Sequence, residues 1–159
     1  MSEFQTFLAA TGRCVAQAKS MLEFEQDKRQ ALLSDDYERL EGMIQAQQAA
    51  VMKLESLEKQ RMQAQEKAGY HRLNADEILA LLDEGPEREA LMEQIAELKR
   101  TLEDIRLQNE KAMEIARANL QMYNTLTMGK EQPARQAVYR PKQNYGANYQ
   151  SGASFQKKI

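Results

Sequence analysis

Apolar residues recur every three or four positions through most of the chain, which is the spacing of an amphipathic α-helix. The pattern predicts three long helices and one short helix, over residues 2–33, 35–67, 75–83 and 86–128. Gly129 follows the last of them as a C-terminal cap. The predicted fold class is all-α: an antiparallel helical bundle or coiled coil of these four helices, with a flexible C-terminal tail.

The boundary between the first two helices carries no glycine or proline. Asp35 and Glu38 have capping-box spacing and would place two carboxylates at the positive end of a new helix. One continuous helix over residues 2–67 would be about 100 Å long. A hairpin buries more surface, so we expect a tight helical hairpin at Ser34.

Local signals also frame the short helix. Gly69 is expected to end the second helix, and Asn74 with Glu77 forms a second capping box. Gly85 and Pro86 then restart the chain, because proline is favoured in the first turn of a helix.

The last helix contains an irregularity in its apolar repeat. Its first half follows a clean 4-3-4-3 spacing: Leu91, Ile95, Leu98, Leu102 and Ile105. Asn109 then occupies the seam, and the better apolar stripe beyond it is Met113, Ala116, Leu120 and Tyr123. Two consecutive four-residue steps predict a stutter, which locally unwinds supercoiling. We expect the first half to pack in the bundle and the second half to project or present another face.

Charge and composition change at Lys130. The chain has 159 residues and a net charge of −2. Six basic residues and one acidic residue follow residue 129, so this segment carries +5 and the remainder carries −7. The segment also has tyrosines among Gln, Asn, Gly and Ser, with too few aliphatic residues for a core. We therefore divide the chain into a helical bundle, 1–129, and a basic, aromatic-bearing flexible tail, 130–159.

Several function classes fit this composition poorly. The acidic bundle does not resemble a nucleic-acid module, which concentrates positive charge on its folded face. No run of eighteen apolar residues exists, so we expect no membrane insertion. The N-terminus lacks the basic and apolar stretches of a signal peptide, and the lone Cys14 is expected to be a buried, inert thiol. Together these features favour a cytoplasmic protein.

The residues that could carry chemistry are sparse. His71 is the single histidine and is expected in an exposed loop, so an ordinary zinc site cannot be assembled. Phosphate-binding glycine motifs are absent, and the carboxylates fall on solvated helix faces. We expect no enzyme activity, no cofactor, no metal and no small-molecule substrate.

Apolar residues circle the end of the last helix, and we predict that they bind a client protein: Leu120, Met122, Tyr123, Leu126 and Met128. Flexible methionine side chains suit a surface that repacks around a partner. The equally weighted alternative is that these residues close the end of the bundle.

Four stretches of the chain resemble the FlgN family of flagellar export chaperones. Residues 31–36, ALLSDD, are similar to the turn after the first helix of the family, and 54–61, LESLEKQR, to its second-helix pattern. Gln108-Asn109 matches polar residues midway through the last helix, and 144–150, NYGANYQ, is similar to a tail stretch of some members. Two positions depart from the family: Gln48, where many members have lysine, and Tyr149, where glycine is common.

The resemblance implies a cytosolic chaperone for the hook-filament junction proteins FlgK and FlgL. It would bind their terminal helical segments and deliver them to the export gate protein FlhA. In the tail stretch, Tyr145, Gly146 and Asn148 are predicted to contact the gate, because a tyrosine on a mobile arm can enter a pocket with little loss of side-chain entropy. Folding of Tyr145 back onto the bundle is the alternative.

Two other functions compete with this interpretation. A coiled-coil component of a secretion apparatus, similar to an export-ATPase stalk, would need two long uninterrupted helices, whereas a short helix is inserted here. A nucleic-acid binder would use the basic tail, and its binding would fall steeply with salt.

Overall fold

The computed structural model describes residues 1–128, and these form four α-helices: α1 (Glu3–Leu33), α2 (Tyr37–Lys67), α3 (Ala75–Leu81) and α4 (Pro86–Leu126). Residues 1–128 contain no strand. The predicted all-α fold of three long helices and one short helix is confirmed, and each boundary lies within two residues of its predicted position. The predicted cap at Gly129 and the predicted tail, 130–159, lie outside the described residues.

Helix α1 is the central element of the bundle. Both α2 and α4 pack along it, whereas α2 and α4 have few close backbone contacts with each other. The direction of α2 follows from two side-chain contacts. Gln17 donates to the carbonyl oxygen of Ala50 at 3.0 Å, and Lys28 donates to Gln47 at 3.3 Å, so residue numbers fall along α2 as they rise along α1. The two helices are therefore antiparallel.

Helix α4 runs parallel to α1. Lys28 contacts Asn109, and the carbonyl oxygen of Leu32 accepts from Asn119, so residue numbers rise together along the two helices. We call the end that holds residues 68–85 and α3 the loop end. The opposite end, where the 34–36 turn meets the last turns of α4, is the turn end.

The hairpin predicted between α1 and α2 is confirmed, but its cap differs from the prediction. The amide of Asp36 donates to the carbonyl oxygen of Ala31 at 3.0 Å, which ends α1 in a Schellman motif. Asp35 takes the left-handed position of that motif, with φ 55°. Asp36 is therefore the N-cap of α2, accepting from the amide of Arg39 at 3.2 Å. The predicted capping box of Asp35 and Glu38 is wrong because Asp35 is used to end α1.

The predicted boundaries at the loop end are confirmed. Helix α2 ends before Gly69, whose φ of 93° favours glycine, and the amide of Tyr70 donates back to the carbonyl oxygen of Gln65 at 3.1 Å. Asn74 and Glu77 form a capping box. The amide of Glu77 donates to the side-chain oxygen of Asn74 at 2.9 Å, and the amide of Asn74 donates to the carboxylate of Glu77 at 2.8 Å. These local interactions fix both ends of the connection that carries α3.

The main apolar core lies toward the loop end. Its buried members are Phe7, Ala10, Cys14, Val15, Ala18, Leu54, Ala64, Ala75, Ile78, Leu91, Ile95, Leu98 and Leu102. The rings of Phe4, Phe7 and Tyr70 pack against one another there, with centroids 6.2–6.4 Å apart. Gln65 also donates to the carbonyl oxygens of Tyr70 and Leu73, at 3.0 and 2.9 Å, which holds the connection against α2.

Two predictions about single residues are confirmed. Cys14 is completely buried, and burial raises the pKa of its thiol to about 11. His71 is exposed in a turn. Tyr37, the first residue of α2, is 37% exposed.

Candidate functional site

The turn end is packed more loosely than the loop end. The stretch of α2 from Tyr37 to Val51 contains one buried residue, Gln47, and its apolar side chains are half-buried or exposed. Along α4 beyond Leu102, the buried residues are Asn109 and Ala112. Apolar side chains at this end therefore remain partly available to another protein.

The seam of α4 does not shift at Asn109, so the predicted stutter is wrong. Asn109 and Ala112 are buried and continue the 4-3 spacing of the first half, whereas Met113 is only half-buried. Asn109 keeps its place in the seam because its side-chain oxygen accepts a hydrogen bond from Lys28 at 2.9 Å. A polar residue at a seam position is tolerated when it has a buried partner.

Lys28 is the centre of a buried polar cluster, which we call the polar layer: Glu25, Lys28, Gln47 and Asn109. The ammonium group of Lys28 lies 2.7 Å from a carboxylate oxygen of Glu25 on the same helix. It also donates to Gln47 on α2 and to Asn109 on α4. One side chain of α1 therefore links both flanking helices at the boundary between the apolar core and the turn end.

Burial dominates the electrostatics of this layer. It lowers the pKa of Lys28 and raises the pKa of Glu25, and the attraction between the two groups offsets only part of each shift. Burial in a low-dielectric interior opposes the charged form of each group, and their pairing favours it. The layer fixes the relative positions of three helices through the contacts of Lys28.

The polar layer was not predicted from the sequence, although the spacing of its charged residues indicates it. Glu25 and Lys28 continue a 4-3 spacing that runs through Cys14, Ala18 and Met21. Charged residues at such positions are expected to be buried with partners when the helix packs on two sides. A stripe of apolar residues does not include them, because both side chains are charged.

The end of α4 extends beyond α1. Asn119 reaches the carbonyl oxygen of Leu32, in the last turn of α1, at 3.2 Å. The seven residues after Asn119 continue α4 to Leu126, which corresponds to about 10 Å of helix. Because α1 ends one residue after Leu32, most of this segment extends beyond the end of α1.

The predicted client-binding residues lie on this extension and differ in exposure. Met122, Leu126 and Met128 are 63%, 78% and 87% exposed, whereas Leu120 and Tyr123 are half-buried. Within residues 1–128, three of these five side chains are therefore not packed into the end of the bundle. Leu33 and Tyr37, which are also exposed, lie at the same end and were not predicted as site residues.

The surface of this extension is open. Leu120 and Met128 line a shallow groove whose other members also come from the last turns of α4: Arg117, Gln121, Asn124 and Thr125. A groove formed along a single helix lacks the enclosing walls of a small-molecule pocket. Its shape suits an extended contact with another polypeptide.

The described residues offer neither a metal site nor a membrane-spanning helix. Across residues 1–128, no cluster of three or more His, Cys, Asp or Glu side chains is placed to hold a metal ion. No helix within that range is long and apolar enough to cross a membrane. The predicted export-gate residues, Tyr145, Gly146 and Asn148, lie outside the described part of the chain.

Comparison with known proteins identifies a family. Neither the curated protein sequences nor the solved structures give a match to the chain. The family model described as FlgN protein matches residues 1–147, which include all four helices and extend into the tail as far as Ala147. The match covers most of the 159 residues, and the chain therefore belongs to the FlgN family of flagellar export chaperones.

Proposed function

We propose that this protein is a cytoplasmic chaperone of type III flagellar export that binds the hook-filament junction proteins FlgK and FlgL and delivers them to the export gate protein FlhA. It acts by binding and has no enzymatic activity. The observation that carries the proposal is the apolar end of α4, which extends beyond α1 and exposes Met122 and Leu126.

An amphipathic helical segment of the client is the partner that this surface fits. Such a segment has an apolar face that would aggregate if left in water, and it can lay that face against apolar side chains of the chaperone. Met122 and Leu126 are four residues apart and therefore lie on one face of α4. Half-buried Leu120 and Tyr123 extend the apolar surface toward the bundle.

Calorimetry with a C-terminal peptide of the client tests the binding surface. Leu126→Asp is expected to weaken binding by at least about tenfold, because loss of a buried hot-spot side chain commonly costs 2 kcal/mol or more. Leu120→Asp is expected to have a similar effect, with helicity retained in the circular dichroism spectrum. Met52→Asp is the matched control, since Met52 is also exposed, at 68%, but lies on α2. Unchanged affinity in the Leu126 and Leu120 variants would mean that the client binds to another part of the protein surface.

The gate contact is assigned to Tyr145, with Gly146 and Asn148 beside it. The support is the family match, which includes Tyr145 and Gly146. Tyr145→Ala should leave client binding intact while weakening capture by the cytoplasmic domain of FlhA. Tyr149→Ala is the control and should retain both. Loss of client binding in the Tyr145 variant, or undiminished gate binding, would refute the assignment.

A stalk-like component of the export ATPase is the competing function. Packing of α4 along α1 favours the chaperone, because a stalk would leave its two-helix hairpin available to the ATPase. A pull-down from lysate with the full chain and with residues 1–129 separates the two. Recovery of the junction proteins supports the chaperone, and recovery of the ATPase without them supports the stalk.

A further inference from the structure

The polar layer separates two halves of the bundle that are packed to different extents. On the loop side, the long helices supply buried apolar residues within 7–18, 54–64 and 91–102. On the turn side, α1 has two buried apolar residues, Ala31 and Leu32, and α4 has one after Leu102, Ala112. Helix α2 has none before Leu54. The turn-end half therefore loses less apolar burial than the loop-end half when its helices separate.

Polar side chains form hydrogen bonds between α1 and its neighbours in the turn-end half. Lys28 links α1 to both α2 and α4. Arg29 donates to Gln108 at 3.5 Å, and Asn119 donates to Leu32, which adds two more links between α1 and α4. Because Lys28 bonds to both neighbours, loss of its contacts releases α2 and α4 from α1 in one event.

The chemistry of the layer makes its separation less costly than that of an apolar layer. Opening an apolar layer exposes hydrocarbon to water and returns nothing. Opening this layer returns water to Glu25 and Lys28, which are 4% and 2% exposed in the closed bundle. Rehydration of the two charges offsets part of the interactions that are lost.

We propose that the polar layer is a latch: α2 up to Gln47 and α4 from Asn109 onward separate from α1 as one opening of the turn-end half, while the loop-end half stays closed. Resting on the proposed function, this opening regulates client binding, because the open form presents more of α4 to the client helix. The closed form exposes Met122 and Leu126 but keeps Leu120 and Tyr123 half-buried, so the open form binds the client more tightly.

Hydrogen exchange on the full-length protein tests the latch without a client. The turn-end segments of α2 and α4 are only marginally stable helices once they leave α1, so they unwind more often. Amides of residues 41–47 and 109–118 are therefore expected to exchange at least about tenfold faster than those of residues 54–64 and 91–102. These segments avoid the first and last turns of the helices, where fraying also speeds exchange. Equal protection of the two sets would overturn the proposal.

A double substitution tests the role of the charges. Glu25→Leu with Lys28→Met replaces the ion pair by apolar side chains, and exchange in 41–47 and 109–118 should slow by at least about tenfold. The matched control is Lys19→Met with Glu97→Leu, which removes an ion pair between α1 and α4 at the loop-end core and should leave those rates unchanged. Unchanged or faster exchange in the Glu25 and Lys28 variant would overturn the latch. If that variant does not fold, the wild-type exchange pattern decides alone.

Calorimetry with the client peptide separates the latch from the proposed function. The Glu25→Leu and Lys28→Met variant should bind the client more weakly than the wild type, because a smaller fraction of it is open. Slower exchange with unchanged affinity would overturn the regulation of binding but not the latch. Unchanged binding by Leu126→Asp and Leu120→Asp would instead refute the proposed client surface.

Discussion

At the scale of single residues, Cys14 illustrates how packing controls reactivity. Cys14 lies on α1 and its thiol is fully buried in the apolar core. Burial raises the pKa of the thiol from 9.0 to about 11. Because the thiolate is the reactive form, we expect iodoacetamide at pH 8 to alkylate the folded protein at least about a hundredfold more slowly than the urea-unfolded chain. Mass spectrometry of quenched samples measures both rates. Comparable rates would mean that the thiol is accessible in the folded protein.

The same shift predicts a pH dependence of stability. A folded pKa above the unfolded one means that the folded state holds the thiol proton more tightly. The contribution of neutral Cys14 is therefore complete below pH 9 and is lost as pH rises through about 11. Urea unfolding of the wild type and of Cys14→Ala, between pH 8 and 11, isolates this contribution from other titrating groups. The stability advantage of the wild type should shrink with pH, and a constant difference would contradict the assigned shift.

At the scale of helices, two glycines of the α2 region should respond to alanine in opposite ways. Gly42 lies within α2 with no atom near the position of an added Cβ, so Gly42→Ala should stabilise the protein by about 1 kcal/mol. Gly69 ends α2 at φ 93°, a conformation that strains other residues, so Gly69→Ala should destabilise it by about 1 kcal/mol. Urea unfolding measures both, and changes of the same sign would contradict the helix assignment.

At the scale of the whole molecule, stability and binding are assigned to opposite ends of the bundle. Leu98 is 1% exposed in the apolar core, so Leu98→Ala should lower the free energy of unfolding by about 2–5 kcal/mol. Leu126 is 78% exposed, so Leu126→Ala should change it by less than about 0.5 kcal/mol. Chemical denaturation of the two variants checks the division. A large loss of stability in the Leu126 variant would show that this residue supports the bundle.

Local interactions explain why the helices could be predicted from the sequence. Period, capping box and glycine C-cap all act within a few residues, and the Asn74–Glu77 cap and the end of α2 at Gly69 formed as expected. The turn at Asp35 could be located but not its geometry. Either of two adjacent aspartates could cap α2. Asp35 takes the left-handed conformation that ends α1, and Asp36 is therefore the N-cap.

The candidate site was predictable only in part. The apolar residues at the end of α4 were visible in the sequence, but their exposure depends on where α1 ends beside them. Likewise, the sequence shows a lysine at position 28 and an asparagine at position 109. Their burial in one cluster depends on α1 lying between α2 and α4.

The helical fold class, the helix boundaries and the positions of the acidic and basic parts could be predicted without a structure, because each follows from residues close together in the chain. The stretches that resemble the FlgN family can likewise be identified without a structure. Tertiary structure alone decided that α1 is central, that α4 runs parallel to it and that a buried ion pair lies between three helices. Those features depend on contacts between residues as much as 81 positions apart, such as Lys28 with Asn109, and local periodicity carries no information about them.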